Sequence, residues 1–211
     1  MIGLSEAVID CGDGAHDRRC HDSQVSAPPD TVGPVLERSQ RVVLRKLRLE
    51  DEQAYLTMVA ASRSLHHPWT SPPGDQAGFR ALMERGAVGD FVSLAGWRAD
   101  DNTLVAIVNL SQIARGGFQS CYCGFYANAA TAGQGLTREA LELSLHYAFS
   151  REGLHRLEVN IQPNNTASLA LVRRIGFRHE GFSRRYLHVD GAWRDHERFA
   201  ITADEWRSVE E

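Results

Sequence analysis

The segment that most constrains the fold is residues 132–137, with sequence AGQGLT, which stands between a predicted strand and a predicted helix. Two glycines two positions apart let the backbone turn its N–H groups toward one point, and the helix adds the positive end of its dipole. Arg138 stands where a dinucleotide fingerprint has its third glycine, and the lysine of a nucleotide-triphosphate loop is missing. The segment is therefore typical of a pyrophosphate site or of an ordinary tight turn.

Hydrophobic periodicity predicts strands and helices around this turn. Strands are predicted at 42–47, 91–97, 104–110, 120–127, 156–162, 180–189 and 193–201, and helices at 50–62, 75–85, 136–150 and 167–175. Polar residues at 99–102 and Asp190-Gly191 predict two antiparallel hairpins, whereas the helix at 136–150 predicts one strand–helix–strand crossover. The sequence thus predicts an α+β fold with a mixed, largely antiparallel central sheet and about four flanking helices.

The net charge of −4 on 211 residues is unevenly distributed, because residues 1–40 alone contain seven acids and three bases. This leader has neither strand nor helix periodicity, so residues 1–39 are predicted to be a disordered acidic tail and residues 40–205 a single domain. The chain has no apolar run long enough to span a membrane and no export signal, which favours a cytoplasmic protein without membrane partners.

Four cysteines do not predict a disulfide framework in a chain without an export signal. Cys121 and Cys123 share one face of a predicted strand, as small core residues do. The tail contains four potential metal ligands, Cys11, His16, Cys20 and His21. Their spacing matches no common zinc pattern, so free thiols and no metal are expected.

Several motifs in order along the chain resemble the GNAT superfamily of acetyl-CoA-dependent N-acetyltransferases. The chain is further similar to the RimJ/RimL-type N-terminal acetyltransferases of ribosomal proteins. The matching residues are Pro68-Trp69, Gly133-Gln134-Gly135-Leu136, Glu139-Ala140-Leu141, Asn165 with Ser168, Gly176-Phe177, Glu180-Gly181 and Trp193-Arg194-Asp195. The resemblance runs from about Arg41 to Ile201 and implies a sheet that is splayed in its middle.

The resemblance implies acetyl-CoA as co-substrate, with the pyrophosphate on the glycine turn and the pantetheine between two splayed strands. Ala132 replaces a usual basic or amide residue of this turn, and Thr137 replaces a usual small one. The implied cofactor-binding residues are Phe125, Tyr126, Ala127, Gly133, Gln134, Gly135, Leu136, Thr137, Arg138, Asn160, Asn165, Ser168 and Arg173.

Amine attack on a thioester requires a donor for the oxyanion, an acid for the thiolate and a base for the amine. The resemblance implies the backbone N–H of Tyr126 as the oxyanion donor. It also implies Ser168 as the acid or as a hydrogen bond to the departing sulfur, although Ser168 is equally typical of a helix cap.

The resemblance does not assign the general base that deprotonates the amine. Some RimJ/RimL-like enzymes have a glutamate at the position that Leu187 occupies here, so Asp195, His188, His67 or a water chain are the alternatives. The resemblance places the loop with His67 and Trp69 beside the acceptor site, and His188 is a third candidate for acceptor binding.

Residues 133–185 contain eight arginines and five acids. These arginines form either a solvated face or contacts for CoA phosphates. No aromatic residues alternate with these arginines to stack on bases, so direct nucleic-acid binding is not expected.

The leading hypothesis is acetyl transfer to a primary amine, most simply a protein N-terminal α-amine, by direct attack in a ternary complex. The protein is expected to be a monomer or a homodimer. The alternatives are a small amine acceptor, such as an antibiotic or polyamine, and a non-catalytic acyl-CoA-binding module.

Overall fold

The computed structural model describes residues 33–210, which form eight strands and six α-helices. The strands are β1 (Glu37–Arg38), β2 (Val42–Lys46), β3 (Phe91–Arg98), β4 (Leu104–Ala114), β5 (Ser120–Ala127), β6 (Arg156–Ile161), β7 (Arg178–Val189) and β8 (Ala192–Thr202). The helices are α1 (Glu52–Ala61), α2 (Arg63–His66), α3 (Gln76–Arg85), α4 (Leu136–Ser150), α5 (Thr166–Ile175) and α6 (Ala203–Glu210).

All eight strands form one sheet in the order β1-β2-β3-β4-β5-β6-β8-β7. Every neighbouring pair is antiparallel except β5 and β6, which run parallel. Parallel neighbours need a crossover connection, and α4 provides it. The predicted α+β class, the largely antiparallel sheet and the single crossover are confirmed.

Helices cover the two faces of the sheet. On one face α4 buries Leu141, Ser144, Leu145 and Ala148, whose spacing of three and four residues places them on one side of the helix. Helix α5 adds to this layer, and the apolar side chains of α1 and α3 pack with β3, β4 and β5 in a second cluster. The sheet is therefore held from both sides, and its middle strands are fixed in place.

The observed fold differs from the sequence prediction at its ends. Residues 37 and 38, within the predicted tail, pair with β2, and Arg151 Nε donates to the Glu37 carboxylate over 3.1 Å. The predicted disorder of residues 1–32, and the four potential metal ligands there, lie outside the described residues. Cys121 and Cys123 are buried free thiols, and burial raises the pKa of Cys121 to about 12.

The structure has two α-helices more than the four that the sequence predicts. Helix α2 has only four residues, too few for periodicity to register, and occupies part of a predicted loop. Helix α6 follows Thr202, whose backbone N–H and hydroxyl donate to Glu205 Oε2 over 2.9 and 3.0 Å. Thr202 and Glu205 have capping-box spacing, which marks the start of a helix in the sequence.

Across residues 33–210 no helix combines the length and hydrophobicity that crossing a membrane requires.

Gly96 provides a test of the packing between β3 and α4. A Cβ atom added at Gly96 would lie 2.7 Å from the Cβ of Ala140, so Gly96→Ala must displace the helix or the strand. We expect the free energy of unfolding to fall by about 1–3 kcal/mol, the usual cost of overpacking. Gly117→Ala is the matched control, because a Cβ there meets nothing within 4 Å. Equal denaturation midpoints for both variants would contradict the close packing.

Candidate active site

The two parallel strands at the centre of the sheet separate after three residue pairs. β5 and β6 pair from Ser120 with Arg156 to Tyr122 with Glu158. Beyond these pairs β5 stays paired with β4 as far as Ala127, and β6 stays paired with β8 as far as Ile161. The facing edges of their last residues therefore line a slot, and the predicted splaying is confirmed.

The direction of the β5 amides follows from its pairing with β4. The N–H of Asn128 donates to the Val105 carbonyl over 2.8 Å, and residues of an antiparallel strand alternate in the side to which their N–H groups point. The N–H groups of Phe125 and Ala127 therefore face the slot, whereas that of Tyr126 faces β4. This direction contradicts the prediction that the Tyr126 N–H serves the slot.

A cavity of about 570 Å³ occupies the slot. Of the residues predicted from the sequence, its wall includes Trp69, Phe125, Tyr126, Ala127, Gly133, Gly135, Thr137, Arg138, Asn160, Asn165 and Ser168. Six predicted residues lie elsewhere: His67, Gln134, Leu136, Arg173, His188 and Asp195. The slot thus brings together residues from β5, β6, the glycine turn and α5 in one wall.

The glycine turn lies at one end of this cavity. Gly133 and Gly135 have φ angles of 76° and 79°, which glycine adopts without steric cost. Gly135 is the N-cap residue of α4, so the positive end of a 15-residue helix points to this end of the cavity. Gln134 and Leu136 turn away: the Gln134 amide oxygen accepts a hydrogen bond from Arg98 at 2.9 Å, and Leu136 is buried.

Helix α5 begins beside the slot. Asn165 caps the helix, because its side-chain oxygen accepts the backbone N–H of Ser168 over 3.1 Å. This cap places Ser168 in the cavity wall at the first turn. Arg173, which was predicted to contact the cofactor, lies over the ring of Phe199, 5.5 Å from its centroid, whereas Arg174 lines the cavity. Adjacent helix residues point about 100° apart, so the two arginines leave α5 in different directions.

A second cavity of about 320 Å³ adjoins the first and shares Trp69 and Gln162 with it. Its remaining wall consists of Pro163, Asn164, Arg185, Trp193, Arg194 and Asp195. The Gln162 amide donates to the Trp69 carbonyl over 3.3 Å and so joins the two elements that meet there.

The three remaining sequence candidates contact residues outside the first cavity. Asp195 accepts the backbone N–H of Arg185 over 2.7 Å, at an irregularity of β7 where Arg185 has a φ angle of 49°. His188 packs edge-on against Trp193 with ring centroids 5.5 Å apart. His67 is largely exposed, with Nδ1 3.7 Å from the Asp190 carboxylate. None of these three side chains reaches the wall of the first cavity.

Two histidines that sequence reasoning missed do line the first cavity. His66 is buried at the end of α2, and its Nε2 donates to the Ala127 carbonyl over 2.8 Å. His196 is buried on β8, where burial lowers its pKa. His66 neighbours the candidate His67, but only the four-residue helix α2 decides which of the two turns inward. No local signal distinguishes His196, since its direction depends on the pairing of β8.

Burial holds Tyr126 and Cys123, two titratable residues of the slot, in their neutral forms. The Tyr126 hydroxyl is 2.9 Å from that of Tyr55, and burial raises the pKa of Tyr126 far above its usual range. Burial also raises the pKa of Cys123 strongly. Among the described residues no group of three His, Cys, Asp or Glu lies close enough to hold a metal. A parted strand edge beside a helix N-terminus suits an extended ligand that carries phosphate.

This arrangement has counterparts among known proteins. A family model described as an acetyltransferase (GNAT) domain matches residues 41–178, and the chain therefore belongs to the GNAT acetyltransferase family. The chain is 30% identical over 176 residues to the ribosomal protein uS5-alanine N-acetyltransferase of Escherichia coli, a match that covers 80% of this chain and 91% of that protein.

Solved structures agree with this assignment. Mycobacterium smegmatis RimJ in complex with CoA-disulfide is 31% identical, with a TM-score of 0.69 over 78% of this chain and 83% of that one. Spermidine N-acetyltransferase from Vibrio cholerae, in complex with CoA and spermine, has the same TM-score over 80% of this chain and 99% of that one. Its identity is 18%, so this second likeness concerns the fold alone.

The Asn165 cap predicts a measurable loss of stability. Asn165→Ala removes the acceptor for the Ser168 N–H, and we expect the free energy of unfolding to fall by about 1 kcal/mol. Asn165→Asp keeps an acceptor oxygen and should keep most of the stability. Asn164→Ala is the control, because Asn164 is exposed and does not cap α5. Urea denaturation that ranks Asn164→Ala below Asn165→Ala would contradict this assignment.

Proposed function

We propose that this GNAT enzyme transfers acetyl from acetyl-CoA to the N-terminal α-amine of a protein, in the cytoplasm. The parted β5–β6 edge carries the proposal, because it presents two unpaired backbone N–H groups, from Phe125 and Ala127, beside a helix N-terminus. This combination suits an extended thioester ligand that ends in phosphate groups. The similarity to the uS5-alanine N-acetyltransferase of Escherichia coli supports the class of acceptor.

The residues of the first cavity fit acetyl-CoA. Among residues 33–210, its wall carries the cations Arg138 and Arg174 and no carboxylate, which suits phosphates near the N-terminus of α4. The Asn160 side-chain oxygen is buried without a hydrogen-bond partner among residues 33–210, and an amide N–H of pantetheine would satisfy it. A volume of about 570 Å³ is also in the range of small-molecule sites.

The chain's own groups supply the catalytic environment. Acetyl-CoA brings an activated thioester. A hydrogen-bond donor aimed at a developing oxyanion is worth about 3 kcal/mol in enzymes with an oxyanion hole, and Phe125 and Ala127 are the residues that offer one here. The Ala127 carbonyl is bound by His66, which holds this end of β5 in place. Ser168 at the first turn of α5 is our candidate for the hydrogen bond to the departing sulfur.

The walls favour a peptide over a polyamine as acceptor. A polycation requires carboxylates, yet the first cavity has none and the second has only Asp195, whose Oδ1 already accepts the Arg185 N–H. Arg185 and Arg194 instead make the second cavity electropositive. Trp69 and Trp193 add aromatic surface beside them, which suits the first residues of a polypeptide.

Release of free thiol from acetyl-CoA tests the proposal. The protein is incubated with N-terminal peptides, the same peptides with blocked N-termini, spermidine and small aromatic amines. We expect turnover on free N-terminal peptides and none on the blocked controls. Turnover confined to spermidine or small amines would refute the N-terminal acceptor. Acetyl-CoA binding without turnover on any amine would favour the non-catalytic module.

The glycine turn gives a direct test of where acetyl-CoA binds. A Cβ added at Gly133 meets nothing within 4 Å, so Gly133→Glu places a carboxylate at the phosphate end of the cavity. We expect the Kd for CoA to rise at least about tenfold, equivalent to 1.4 kcal/mol. Isothermal titration calorimetry measures the change.

Gly89→Glu is the matched control for this variant. Gly89 has a φ angle of 88°, its added Cβ also meets nothing within 4 Å, and it lies outside both cavities. It therefore carries the same backbone strain without the effect on phosphate. Wild-type CoA affinity in Gly133→Glu, or an equal loss in both variants, would contradict the placement of the phosphates at this turn.

A further inference from the structure

His196 has one nitrogen engaged and one available at the wall of the first cavity. The side chain is 3% exposed, and Nδ1 lies 3.0 Å from the backbone carbonyl oxygen of Arg194. A carbonyl oxygen only accepts hydrogen bonds, so Nδ1 carries the proton of this bond. In the neutral ring Nε2 is then left with a lone pair, which is the form that accepts a proton.

The available nitrogen distinguishes His196 from His66. The Nδ1 atom of His66 is sealed from solvent and lacks a hydrogen-bond partner, so it cannot exchange a proton with a ligand. Among residues 33–210, the hydrogen bond from Nδ1 is the only one that the His196 ring forms, so Nε2 is not engaged. His196 lines the first cavity, and Nε2 is its ring nitrogen left to bond a ligand there.

The surroundings of His196 keep the ring neutral. Burial lowers its pKa and outweighs the opposing effects of the Arg194 carbonyl and of Asp195. Tyr186 on β7 packs against the ring, with centroids 6.1 Å apart, and its hydroxyl is 3.5 Å from that of Tyr122 on β5. Arg198, on the same strand as His196, lies opposite Asn160 of β6 in the register of the two strands.

The part of this wall that β7 contributes offers no base. Leu187 and Val189 on β7 line the cavity beside His196, and both are aliphatic. The position at which the family resemblance implies a glutamate is therefore apolar here. His196, on the strand paired with β7, is the residue of this wall that can take up a proton near neutral pH.

We propose that Nε2 of His196 accepts the proton of the acceptor ammonium, directly or through one water, and so acts as the general base of the acetyl transfer. The inference rests on the proposed function. The neutral amine then forms its bond to the acetyl carbon, and the carbon–sulfur bond breaks. The second proton leaves the nitrogen and ends on the thiolate, which gives the amide, free CoA thiol and one proton held on His196 until solvent removes it.

Two neutral substitutions separate this role from packing. His196→Asn keeps an N–H near the position of Nδ1, where it can donate to the Arg194 carbonyl, but lacks Nε2. His196→Gln places an amide near the position of Nε2 without its basicity. We expect each to lower kcat by about 100-fold or more on a free N-terminal peptide, the usual contribution of a general base, with acetyl-CoA affinity unchanged. His146→Asn, on the outer side of α4 and beside Glu37, is the control with wild-type kcat.

Two further readouts concern the proton itself. The kcat of the wild type should fall as the pH drops through the His196 pKa, which burial places below the ordinary imidazole value, and both variants should lack this inflection. Nitrogen-15 NMR of the histidine rings in the wild-type protein should show the Nδ1–H tautomer of His196 at neutral pH. This measurement needs neither a variant nor turnover, so it tests the protonation state of His196 even if the variants do not fold.

The outcomes separate this inference from the proposed function. Wild-type kcat in either folded variant, or an Nε2–H or doubly protonated His196 at neutral pH, would overturn the role of His196 and leave the acetyltransferase activity standing. Absence of wild-type turnover on every amine would overturn the proposed function and this inference together.

Discussion

The separation of β5 from β6 after Tyr122 and Glu158 is the constraint on which the rest of the site depends. Each strand remains paired on its outer side, β5 with β4 and β6 with β8, as far as the end of the gap. Backbone groups that would otherwise pair with each other are left facing a cavity, and unpaired groups of this kind need a partner. A ligand with alternating amide donors and acceptors is the natural partner for such an edge.

Electrostatics then divide the site into parts. The N-terminus of α4 and the side chains of Arg138 and Arg174 make the phosphate end positive, and no carboxylate lines the first cavity. The histidine His196 is kept neutral by burial at another part of the same wall. The site thus attracts a polyanionic co-substrate while keeping a base that is not already protonated, and both properties come from desolvation and from the placement of a few charges.

Most of the framework could be predicted from the sequence because its signals are local. The bounds of β5 and α4, the glycine turn and the hairpin at Asp190 follow from alternation, helical spacing and turn residues. The errors arise where a long-range pairing decides. The amide direction at Tyr126 depends on its register with β4, and the choice between Arg173 and Arg174 depends on the rotation of α5. No local sequence pattern marks His196 as a cavity residue. The start of α6, by contrast, is marked in the sequence by its cap residue Thr202.

The central claim is that the slot-facing amides of β5 pair with acetyl-CoA, and amide hydrogen exchange followed by NMR tests it most directly. On addition of acetyl-CoA, the N–H groups of Phe125 and Ala127 should gain protection, because they face the slot without a partner on the neighbouring strand. The N–H of Tyr126 should change little, because its direction commits it to β4. Unchanged exchange at both Phe125 and Ala127 in the presence of saturating acetyl-CoA would contradict the account.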